Sequence, residues 1–126
     1  MTANFTADPM LDTLQLFEHL RGTAKAVGVA PYDQIVQQFS NPVSELMVQC
    51  PDCHIVLWRP QFDDQQRIDV VASMAQLQDI VEAITNYLRS RPDCSVYLAI
   101  APWQPFDSKL YQQLLDYLAT RFSAFP

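Results

Sequence analysis

Ser44-Glu45-Leu46-Met47-Val48-Gln49-Cys50-Pro51-Asp52-Cys53-His54-Ile55-Val56-Leu57-Trp58-Arg59 is the stretch whose reading decides the fold. Two short apolar segments, Ser44 to Gln49 and His54 to Arg59, flank a C-P-D-C loop. Pro51 supplies a fixed φ for the turn and Asp52 a local hydrogen bond, so the pattern predicts an antiparallel hairpin that Pro60 ends. In the plain structural reading Cys50 and Cys53 are small, half-buried side chains beside that turn.

Working outward toward the start, Asp8 is placed to cap a helix with Pro9 at its first position. Leu11, Leu14, Phe17 and Leu20 share one side, and the helix is expected to end near Gly22. Tyr32 to Phe39 predicts a second, shorter helix, with Ile35, Val36 and Phe39 on one face and Asn41-Pro42 as its stop. Toward the other end, Arg67 to Ala72 alternates weakly and predicts a third strand. Ser73 and Gln76 then form a capping box ahead of Leu77, Ile80, Val81, Ile84 and Leu88, which repeat at helical spacing until Pro92-Asp93 breaks the helix. Cys94 to Ala101 is nearly continuous in apolar residues, as for a central strand buried on both faces. A last helix begins near Asp107 and carries Leu110, Leu114, Leu115, Leu118 and Phe122. The expected architecture is α/β or α+β, a single domain over residues 1–126. It has two layers, a mixed sheet of about four strands under helices, and the order α-α-β-β-β-α-β-α.

The chain has 126 residues, of which 49% are hydrophobic and 17% charged, which places it in the globular class. Its formal net charge of −6 argues against nucleic acid, because the eight lysines and arginines are scattered from Arg21 to Arg121 rather than clustered to neutralise phosphates. A basic protein partner fits better. No apolar run approaches the roughly twenty residues of a membrane span, and Met1 to Pro9 has neither the positive charge nor the apolar core of a secretory signal, so the expected compartment is the cytoplasm. Three cysteines there are expected to be reduced thiols. Gly22 and Gly28 are the only glycines, which excludes the glycine-rich loops that cradle nucleotide phosphates.

The C-x-x-C pair invites three chemistries. Val48 to Ile55, a strand followed by C-P-x-C and a second strand, resembles the knuckle of zinc-ribbon and rubredoxin-like sites. That resemblance implies two thiolates aimed at one metal, and a tetrahedral site needs two more ligands. Cys50, Cys53, Cys94 and His19 make the one complete set within a chain; four hairpin cysteines from a homodimer make the other. His54 follows Cys53 directly and points to the opposite face if the strand begins there. A redox role would want the first thiol at a helix N-terminus, whereas this loop lies between strands and carries Asp52, which raises thiol pKa. The string Cys50-Pro51-Asp52-Cys53-His54 also matches the attachment pattern of c-type haem, a modification made outside the cytoplasm.

Two aromatic loops complete the candidates. Trp58, Arg59 and Phe62 close the predicted hairpin, and Trp103 and Phe106 follow the carboxyl end of the Cys94 strand, where open α/β sheets bind ligands. The acids read as helix caps or loop charges, and no nucleophile-elbow glycines surround any Ser or Cys. The expectation is a non-enzymatic interaction module of adaptor, inhibitor or immunity type. A metal-binding protein with structural or regulatory zinc is the second reading, and a small hydrolase or transferase using the Trp103 loop the third.

Overall fold

In the computed structural model, which describes residues 1–3, 13, 15, 16, 34–44, 47, 48, 53–101 and 107–123, Cys53–Trp58 (β2) is the middle strand of a wholly parallel sheet. Thr2–Ala3 (β1) pairs with it as Thr2↔Val56 and Ala3↔Leu57. Ser95–Ile100 (β3) pairs on the other side, from Cys53↔Ser95 to Trp58↔Ile100. The helices Ile35–Ser40 (α1), Val70–Ser90 (α2) and Ser108–Ser123 (α3) follow β1, β2 and β3 in turn. The named strands and helices thus alternate, β1-α1-β2-α2-β3-α3, and the mixed four-stranded sheet in the order α-α-β-β-β-α-β-α is overturned.

Three local misreadings account for the difference. In the first arm of the expected hairpin the described residues Met47 and Val48 are helical rather than extended, and Glu45, Leu46 and Gln49 lie outside the described residues. Ser44 starts that turn, its hydroxyl accepting the Met47 N–H at 3.2 Å and its carbonyl the Val48 N–H at 2.9 Å. An N-capping serine ahead of Glu, Leu and Met, all good helix formers, outweighs the strand-like length of the run. The expected third strand is also absent. Ile68 makes a single antiparallel bridge to Phe62, and Val70 and Val71 already lie in the first turn of α2, facing solvent. The residue that caps α2 is Asp69, whose carboxylate accepts the Ala72 N–H at 3.0 Å, rather than Ser73. Finally, the Cys94 strand is not central. β3 ends the strand order among the described residues, and Ser95, Tyr97 and Ala99 on one of its faces are exposed.

Elsewhere the periodicities hold. Residues 13, 15 and 16 are helical, within the first expected helix, whose remaining positions lie outside the described residues. α1 ends at Asn41, as its Asn-Pro stop requires. α2 buries Leu77, Ile80, Val81 and Ile84 and closes at Arg91, just before Pro92. α3 buries Leu110, Leu114 and Leu118, with the Asp107 carboxylate accepting the Lys109 and Leu110 N–H groups at 3.0 and 3.1 Å.

Strand alternation sorts the core. Val56 and Trp58 face one side of β2 and join Ile35, Phe39, Leu77, Ile80, Ile84, Leu114 and Leu118, so all three helices bury their stripes on that face. Leu57 and Ile55 face the other side, with Ala3 and Met1. Between β2 and α2 the chain makes a compact loop. Asp63 accepts the Gln65 and Arg67 N–H groups, each at 2.9 Å, and Gln66 adopts the left-handed conformation with φ 63°. A tie across the core holds this loop to the helix: the Trp58 indole N–H and the Gln61 amide both donate to Gln76 Oε1, at 2.7 and 2.8 Å, and the Ser73 hydroxyl accepts the Gln61 N–H.

Because Asp69 alone among these side chains satisfies the α2 entry at Ala72, Asp69→Ala is expected to cost about 1 kcal/mol of unfolding free energy. Ser73→Ala is expected to act instead by freeing the Gln61 loop. Urea unfolding monitored by helix dichroism checks both, and an unchanged midpoint for Asp69→Ala contradicts the cap assignment.

Candidate functional site

Parallel pairing fixes where the candidate residues lie. Every strand of the sheet leaves at the same end, so Arg59 to Phe62 after β2 and the chain after β3 start side by side. The Ala101 N–H donates to the Trp58 carbonyl at 2.7 Å and ties the two exits together. Trp58 itself is fully buried, its indole spent on Gln76. Arg59 is exposed, with its guanidinium carbon 5.6 Å from the centre of the half-buried Phe62 ring, a cation–π stack. Trp103 and Phe106 lie outside the described residues.

The thiols sit at the opposite end of the sheet. Cys53 opens β2 and is exposed, whereas Cys94 precedes β3 and is buried. Cys50 and His19 lie outside the described residues. The knuckle resemblance required a strand, turn and antiparallel strand, and among the described residues β2 has only parallel neighbours. Among the described residues no group of three or more His, Cys, Asp or Glu side chains is placed to hold a metal ion.

The expectation that His54 faces away from Cys53 holds, and it produces a cluster that no sequence pattern announced. His54 lies on the helix-covered face of β2 with only 1% of its surface exposed. Its Nε2 stands 2.7 Å from the Tyr87 hydroxyl of α2, and that hydroxyl stands 3.8 Å from Cys94 Sγ. Phe39 of α1 meets both rings edge-on, with centroids 5.6 Å from His54 and 5.2 Å from Tyr87. A tyrosine hydroxyl has one proton to give, and the short contact assigns it to His54 Nε2, leaving the neutral imidazole protonated at Nδ1. The Cys94 thiol turns to the Ser95 carbonyl at 3.7 Å.

The electrostatics keep this cluster neutral. Burial is the main force that lowers the His54 pKa to about 4, helped by the positive charges of the Met1 amino group and Arg91. Burial likewise pushes the Cys94 thiol up, which favours its neutral form. The Arg91 charge is shared with Asp93, 3.3 Å away, and this hydrogen bond holds the Asp93 carboxyl below its ordinary range. Asp63 is held low chiefly by the Arg67 backbone N–H.

No protein-family model, no curated protein and no solved structure matches this chain. Among the described residues no helix is long and apolar enough to cross a membrane.

Tyr87→Phe keeps the ring packing but strands His54 Nε2 in the core, which is expected to cost about 1–3 kcal/mol. Chemical unfolding of the variant at neutral pH measures it, and a loss no larger than that of an exposed control removes the hydrogen bond from the account. The acid response has a definite sign. An unfolded His54 takes up its proton near pH 6.5 and the folded one only near 4, so the unfolded state gains protons first as pH falls. The full contribution is therefore present above pH 6.5 and is lost between 6.5 and about 4, a fall of up to about 3 kcal/mol. Asp63 and Asp93 add their losses only below the usual carboxylate range. Unfolding free energies at pH 7, 5.5 and 4 test this, and a flat profile across that window contradicts it.

Proposed function

We propose that this chain is a non-enzymatic, cytoplasmic interaction module that docks a protein partner at the carboxyl end of its sheet. The observation that carries the reading is the β2–β3 register, which starts the Arg59–Phe62 loop and the chain beyond Ala101 at one end, next to each other. In open parallel sheets that end is where loops from adjacent strands combine into a binding surface. Arg59 over Phe62 offers a residue pair of the kind interfaces favour at their centre, a guanidinium stacked on an aromatic ring. The net charge of −6 supports a basic partner, steered by long-range attraction before contact.

A double variant, Arg59→Ala with Phe62→Ala, tests the surface. Proteins retained by the purified chain are identified and then titrated individually by calorimetry. The genuine partner binds the double variant at least about tenfold more weakly, roughly 1.4 kcal/mol, and binds the exposed control Gln78→Ala as it binds the parent chain. Its affinity also falls with added salt. Partner affinity untouched by the double variant, or turnover of a substrate by the purified protein, overturns the reading.

A further inference from the structure

We draw no further inference here: the strongest candidate, the apolar cleft of about 340 Å³ between α2, β3 and α3 that Ile84, Leu88, Val96, Leu98, Leu118 and Phe122 line, carries nothing because nothing in the structure shows what covers it.

Discussion

The parallel ladder that holds β2 between β1 and β3 is the constraint from which the remaining structure follows. Two parallel neighbours cannot be joined by a tight turn, because the chain must travel back to the starting end of the sheet before it can pair again. The helical crossovers make that return. α2 does so between β2 and β3, laying Leu77, Ile80 and Ile84 over Val56 and Trp58, and each such fully buried side chain contributes about 1.5–3 kcal/mol relative to exposure. The same ladder determines which segments become neighbours. Every strand points the same way, so Cys53 and Cys94 lie at the entrance of the sheet and Arg59 and Phe62 at its exit.

Two polar side chains of β2 act as locks inside this core, because each is hydrogen-bonded to α2. The Trp58 indole reaches Gln76, which also receives the Gln61 amide, so the loop after β2 has a defined seat on α2. His54 reaches Tyr87 from the other end of the same strand. A one-residue slip of β2 would turn both side chains to the opposite face and break both hydrogen bonds. The price is a core with an imidazole that must stay neutral. α1 depends on that core as well: it has six residues and its N-cap residue, Gln34, caps no backbone N–H with its side chain, so Ile35 and the Phe39 contacts to His54 and Tyr87 hold it in place.

Helices were legible where a long apolar stripe coincided with a stop signal. Leu77 to Ile84 ahead of Pro92 satisfies both conditions, Leu110 to Leu118 follows the Asp107 start signal instead, and both helices are found where expected. The run from Ser44 to Gln49 satisfies neither, since six residues are too few to separate period 2 from period 3.6. The proline and aspartate that follow mimic a hairpin turn. Ser44 was the available clue, as a capping residue before helix formers, and it argues for the turn seen at Met47 and Val48. β1 spans two residues and has no periodicity to read. The candidate surface was half legible: Arg59 and Phe62 were singled out as residue types, but their shared end with the chain after Ala101 depends on strand direction, which no local pattern encodes. His54 and Tyr87 are 33 residues apart, and only the ladder and the α2 stripe together make them neighbours.

The strand direction is therefore what most needs measuring, and nuclear Overhauser contacts between backbone protons of the β2 and β3 segments report it directly. A parallel ladder predicts Hα-to-amide contacts linking residues 54–58 with residues 96–100 in the register Val56↔Leu98. Strong Hα-to-Hα contacts between residues 44–49 and 54–59, the mark of an antiparallel hairpin, would contradict the parallel sheet. They would also remove the shared exit of β2 and β3 on which the proposed binding surface depends.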